Sequence, residues 1–252
     1  MQTRREIIKS GLGLAGIIAA GKAPAALVRS LIAARSALTG SKKLPYDAEV
    51  EYLVSTGTQW INTGVKPDNN TQTDIDFMVL GNYSTYDTVA GCEGNGLSYR
   101  ICARYGTSNR YWVGNSNASN YAVTTRTFNE RQNVKFNLPG NVVEINGTQY
   151  NMGSLGTYVF TASLMLFAEG WGSGATFTSK ARIYSAVITN CSSGELVRDF
   201  IPVRFTNELG QSEGAVYDRA NPTVGMNPDG SPRTDGLYRN RGTGAFLWAE
   251  KQ

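Results

Sequence analysis

Residues 48–80 read AEVEYLVSTGTQWINTGVKPDNNTQTDIDFMVL, two runs of period two joined by a polar bend. In the second run Ile75, Phe77 and Val79 fall on one side, and Asp74, Asp76 and Met78 on the other. Side chains alternate between faces along a β-strand, so this pattern predicts a strand with one face in a core and one in water. In the first run Val50, Tyr52 and Val54 alternate with Glu49, Glu51 and Leu53, which predicts the Val50 set inward. Trp60 sits beside Ile61 at a strand start and reads as core. Pro67-Asp68-Asn69-Asn70 is a strong turn signal between the runs.

The same grammar continues outward. Strands are expected at 88–92 and 97–104, around a Glu93-Gly94-Asn95-Gly96 turn whose residues tolerate positive φ. Further strands are expected at 111–114 and 121–125, flanking a loop of Asn, Ser and Ala at 115–120. Val134, Phe136 and Leu138 alternate with Asn133, Lys135 and Asn137, and the chain returns through Val143 and Ile145 to an Asn146-Gly147 turn. Later strands are expected at 164–168, 181–188, 196–205, 215–218 and 245–248. No long stretch after residue 46 has helical period with caps, and no repeat of 20–50 residues is present. The expected fold is all-β: a two-sheet antiparallel β-sandwich of the jelly-roll kind over residues 47–252, preceded by a helical N-terminal leader.

The 252 residues carry 24 basic and 20 acidic side chains, but the surplus is local. Residues 1–46 hold eight Lys/Arg and one acid, leaving 16 basic and 19 acidic residues beyond them, a net charge of −3. A nucleic-acid-binding domain carries a basic footprint, and this one has none, so no nucleic-acid partner is expected. Histidine is absent. That excludes Ser-His-Asp and Cys-His nucleophile pairs and the usual His-bearing zinc sites. Three cysteines leave two readings: Cys92 meeting Cys102 across a hairpin with Cys191 alone in a turn, or, as favoured, three small half-buried side chains.

Residues 3–9, TRREIIK, place Arg4 and Arg5 ahead of a short apolar run, GLGLAGIIAAG at 11–21. Ala23-Pro24-Ala25 then offers a small-residue cleavage pattern. The run is too short to span a bilayer, and the order resembles a bacterial twin-arginine export signal over residues 1–25. A basic amphipathic helix on a cytoplasmic protein is the alternative. Residues 26–46 read as a helical or flexible spacer that Gly40 and Pro45 close. The resemblance implies a leader that contacts the export machinery and membrane, and a periplasmic, cell-surface or extracellular address. Twin-arginine substrates are generally exported folded, so the domain would fold in a reducing cytosol, in keeping with unpaired cysteines.

Residues 51–64, EYLVSTGTQWINTG, resemble the opening of a bacterial and prophage domain family with the concanavalin-A-like, laminin-G-like jelly-roll fold. The later segments RIYS (182–185), LVRDFIP (196–202), GAVYD (214–218) and GTGAF (242–246) resemble that family in order, as does VVEINGTQY (142–150). The resemblance covers residues 47–252 and implies two packed antiparallel sheets with first and last strands near each other. Relatives occur in cell-surface proteins and phage tails. Residues 219–235, rich in Asn and Pro, look longer than the family's link and read as an insertion.

Glycosidases on this fold use an E-x-D-x-x-E-like run on one strand. Glu49/Glu51 and Asp74/Asp76 lack that order and read as solvated outer-face charge, so no catalytic residue is expected. Binding is expected from aromatics beside amide- and hydroxyl-rich loops: Tyr86, Tyr111, Trp112, Asn115, Tyr121 and Trp171, with Tyr83 near them. A ring covers the C–H face of a sugar while amides pair its hydroxyls. Trp112 and Trp171 capping the core is the other reading. No cofactor is expected; Ca²⁺, common among relatives, would look to Asp87, Glu93 and Asn95, whose spacing is not diagnostic. The expected partner is a glycan or cell-surface polymer bound without catalysis. The alternatives are protein–protein adhesion and, least, a carboxylate glycosidase.

Overall fold

In a computed structural model, residues 43–81, 86–94, 97–105, 108–115, 121–125, 128–138, 141–152 and 157–252 are described, with backbone alone at 86, 97, 102–105, 108–115, 121–125 and 138. The leader, including Arg4 and Arg5, lies outside the described residues. In chain order the strands are β1 (Ala48–Thr56), β2 (Ile61–Asn62), β3 (Thr71–Val79), β4 (Tyr86–Gly94), β5 (Leu97–Tyr105), β6 (Ser108–Asn115), β7 (Tyr121–Thr125), β8 (Arg131–Leu138), β9 (Val142–Ile145), β10 (Thr148–Asn151), β11 (Met165–Leu166), β12 (Glu169–Trp171), β13 (Gly174–Thr176), β14 (Lys180–Asn190), β15 (Glu195–Thr206), β16 (Ser212–Asp218), β17 (Gly225–Met226), β18 (Pro232–Arg233), β19 (Leu237–Arg239) and β20 (Leu247–Glu250). No helix occurs among the described residues.

Among the described residues the strands make one sheet of twelve and one of eight. The larger runs β10-β9-β8-β3-β14-β1-β15-β16-β19-β17-β18, with β20 on β1. The smaller runs β13-β12-β4-β5-β6-β7, with β11 joining β2 to β4. Pairing is antiparallel except between β12 and β4 and between β17 and β19. The fold is therefore a β-sandwich as expected, with two parallel contacts that an up-and-down reading of the strands does not foresee.

Strand β3 alternates as read: Thr71, Thr73, Ile75, Phe77 and Val79 are buried, while Asp74 and Asp76 face outward. Asp76 holds Arg131 by three contacts of 2.6–3.0 Å and Asp74 accepts from Asn133 at 2.7 Å, so this carboxylate pair is outer-face charge. Strand β1 departs from its reading. Its register against β20 shifts between Val50 and Tyr52, a β-bulge that moves later side chains to the opposite face. Leu53 and Ser55 are therefore buried with Val50, and Tyr52 packs outside against Tyr184 and Arg182. Trp60 is also corrected: Ile61 is the core residue, while Trp60 lies half-buried under the Arg241 guanidinium, 5.2 Å from its ring centroid.

The core lies between the sheets. Tyr99 of β5 is fully buried against Phe136 and Phe160, and its hydroxyl pairs with Thr73 Oγ1 and donates to the Thr71 carbonyl, both at 3.2 Å. A buried phenol so satisfied ties the smaller sheet to the larger one. The other end is filled by Phe167 on Phe246 and Phe200 on Tyr238.

The motif text is structural. Gln59 is buried and accepts at Oε1 from the Thr56 amide (2.8 Å) and from Ser55 and Thr56 hydroxyls, while its Nε2 donates to the Thr243 carbonyl. The opening and closing motifs are thus clasped beside the β1–β20 ladder, which puts the first and last strands in contact. Gly242 is required here, because a Cβ would overlap the Thr58 carbonyl oxygen. In LVRDFIP and GAVYD, Arg198 pairs with buried Asp218 at 3.5 Å and Arg219 holds Asp199 through two 2.9 Å bonds. Asp218 also accepts from the Asp199 and Ala220 amides, so these crossed pairs lock β15 to β16. Residues 219–235 fold into the β17–β18 hairpin.

Candidate functional site

The outer face of the smaller sheet, away from the core, holds the most unusual chemistry among the described residues. Ala90, Cys92, Tyr99 and Ile101 of β4 and β5 point into the core. Residues paired directly across a ladder share a face, so Arg100, Ser98 and Glu93 belong to the opposite side. One row of register partners runs Thr176–Glu169–Gly91–Arg100–Trp112–Tyr121. The next runs Gly174–Trp171–Glu93–Ser98–Gly114.

Arg100 joins two carboxylates across this face. Its Nη2 donates to Glu93 Oε2 at 2.8 Å and to Glu169 Oε1. Gly91 stands between Arg100 and Glu169 in the row, and a Cβ there would meet Thr88 Cγ2 at 2.9 Å. The missing side chain lets the guanidinium cross β4 to reach β12. Glu169 is 0% exposed, and its Oε2 has no hydrogen-bond partner among the described residues. Burial is the largest influence on it and pushes its carboxyl up to about 8 against the opposing pull of Arg100. A neutral Glu169 beside an Arg100–Glu93 ion pair follows: one cation, balanced by one carboxylate, with the second acid protonated. A pair of carboxyls is what glycoside hydrolysis needs, but Glu169 presents no atom to a substrate.

Trp171 closes β12 on the same face and is 58% exposed. Gly172, with a left-handed φ of 57°, begins the two-residue turn to β13 that holds the indole outside. Trp171 therefore does not cap the core.

The other residues expected to bind are dispersed by register. Trp112 and Tyr121 fall in the Arg100 row, whereas Tyr111 pairs with Ile101 and Asn115 with Leu97, in rows that belong to the core side. Tyr86 pairs with Tyr105 beyond a bulge in β4. The side chains of Tyr86, Tyr111, Trp112, Asn115 and Tyr121, and all of Tyr83, lie outside the described residues. For Ca²⁺, Glu93 is engaged by Arg100, Asp87 is buried and Asn95 lies outside the described residues. No group of three or more His, Cys, Asp or Glu is gathered as metal donors among the described residues. Cys92 is free and buried, with Tyr99 as its register partner; Cys102 is opposite Thr88.

Arg100 and Glu169 were not singled out from sequence. Their signal is a charge inside an apolar run, as in LSYRICARY and LMLFAEGW. Such charges are rarely buried unless paired. The remaining candidates, Glu49 and Glu51, belong to the larger sheet, where Glu49 bonds Lys251 at 2.5 Å and Glu51 is exposed. In comparison with known proteins, no protein-family model matches the chain and no curated protein is significantly similar to it.

Proposed function

We propose that this chain is an exported, non-catalytic binding module that takes an extended carbohydrate or related surface polymer along the outer face of its smaller sheet. The observation that carries this reading is Trp171, an exposed indole in the row of Glu93 and one row from Arg100, on a face whose rows also hold the Trp112 and Tyr121 positions. Strands lie about 4.8 Å apart, so three strand spacings and one row separate Trp171 from Trp112 by roughly 16 Å. That is a platform for a chain of several sugar units rather than for one. Glu93, whose side chain stays partly exposed, lies between the aromatic positions as a hydroxyl partner. The export half of the reading is supported by the Arg4-Arg5 leader pattern and the unpaired Cys92.

Titrating the full chain with soluble oligosaccharides of increasing length, followed by tryptophan fluorescence, tests the mode. Affinity should rise with length until the ligand spans the platform and then level off. Equal affinity for one unit and for many would contradict a platform. Absence of any binding, with protein partners captured instead, would favour the adhesive alternative.

A further inference from the structure

The larger sheet carries a cleft remote in sequence from the Trp171 face. Strand β19 pairs with β16 only from Arg239, opposite Ala215. At Asn240 the chain leaves the sheet: its Oδ1 accepts from the Trp60 and Gly242 amides and its Nδ2 donates to the Gly244 carbonyl at 2.6 Å. Among the described residues, positions 212–214 of β16 consequently have β15 on one edge and no strand on the other. An open cleft of about 520 Å³ lies along that free edge.

Its floor is apolar and close to the core. Gly214 and Phe246 line it, and a Cβ on Gly214 would be stopped by the core, 2.8 Å from Leu53 Cδ2 and 3.0 Å from Phe246 Cβ. Its wall is polar, and its charges are paired. Arg239 Nη2 donates to both oxygens of Glu213 at 3.2 and 2.9 Å, with the guanidinium 5.1 Å from the Phe205 ring. Arg239 Nε is buried with no hydrogen-bond partner among the described residues. Glu213 also accepts from Asn207 at 2.5 Å, so the carboxylate is held rigidly. Gln211 and Ser212 are exposed at the mouth.

We infer that this cleft binds a neutral polyhydroxyl ligand of monosaccharide size. Arg239 is held by Glu213 and, at 3.5 Å, by Glu208, so a charged ligand would have to break these pairs to find a counter-charge, whereas adjacent hydroxyls can accept from a guanidinium N–H and donate to a carboxylate without separating them. The volume lies in the range of small-molecule sites, and the mixture of an apolar floor with a few convergent polar groups is the usual composition of such a site. Among the described residues no exposed aromatic ring lines the cleft. Affinity therefore rests chiefly on hydrogen bonds and should be about millimolar. The inference does not depend on the Trp171 face.

The test is saturation-transfer NMR on the full chain with glucose, galactose, mannose and N-acetylglucosamine as probes. Ser212→Trp and, separately, Gln211→Trp block the mouth from exposed positions, each made in the wild type and in a Trp171→Ala background that removes the ring of the other face. At least one probe should bind saturably. Either blocking variant that retains the wild-type melting transition should weaken binding about tenfold or more in both backgrounds. Absence of saturable binding by the folded wild type would overturn the inference. So would binding that survives both blocking variants, or binding lost only in Trp171→Ala, which would assign the sugar to the other face.

Discussion

Replacing Glu169 by glutamine should remove most of the pH dependence of stability between pH 5 and 8. The carboxyl sits at about 8 in the folded chain against an ordinary value of 4.5, chiefly because it is buried. Below pH 4.5 it is protonated whether the chain is folded or not. Above pH 4.5 the unfolded chain gives up the proton first, so the folded state holds more protons and stability falls as pH rises. The fall ends near pH 8, where the folded carboxyl ionises as well. A gap of about 3.5 at 1.36 kcal/mol per pH unit makes the total fall about 5 kcal/mol, an order-of-magnitude figure. For a domain of this size that is roughly 10–20 °C in Tm. The window is clean because the chain has no histidine, and burial raises the Cys92 thiol well above its usual range. Glutamine keeps an acceptor for Arg100 Nη2 and cannot ionise. Thermal melts of both proteins from pH 5 to pH 9 should converge at the acid end and diverge toward pH 8, with the variant the more stable. Parallel curves would refute the assignment of a neutral, buried Glu169.

Other substitutions test the motif chemistry. Arg198→Ala leaves Asp218 buried without its cation and should cost about 3–5 kcal/mol in urea denaturation; a cost below about 1 kcal/mol would show that the backbone amides alone hold that carboxylate. Gly242→Ala forces a methyl into the Thr58 carbonyl and should release the closing segment, seen as early proteolysis near the C-terminus, where an unchanged digest would contradict the clasp. Asp76→Ala removes a pair whose arginine is 53% exposed and should change stability by less than about 1 kcal/mol, despite the short contacts.

How much of this was readable follows from the range of the interactions involved. The β3 alternation needs only one buried face and is plain in nine residues, as is the Asn146-Gly147 turn, where both residues have positive φ. The inversion in β1 was not readable, because the bulge is defined against β20, nearly two hundred residues away. Tryptophan is ambiguous for a related reason: Trp60 and Trp171 both adjoin apolar runs, and only the turn at Gly172 and the packing of Ile61 decide that neither is core. The Glu93–Arg100–Glu169 cluster draws on three strands, with Arg100 and Glu169 separated by 69 positions, so no local spacing announces it. The motifs that carry the family resemblance turn out to be clasps and ion pairs of the scaffold. They therefore indicate the fold and are silent on the ligand.

The most direct measurement is a glycan-array screen of the full chain beside its Trp171→Ala variant, with equal thermal stability confirmed first. Trp171 is largely exposed, so its loss should leave the fold intact. A binding platform on the smaller sheet requires specific, saturable hits on extended glycans that disappear in the variant. Hits of equal strength in both proteins, or a blank array from folded wild-type protein, would contradict it.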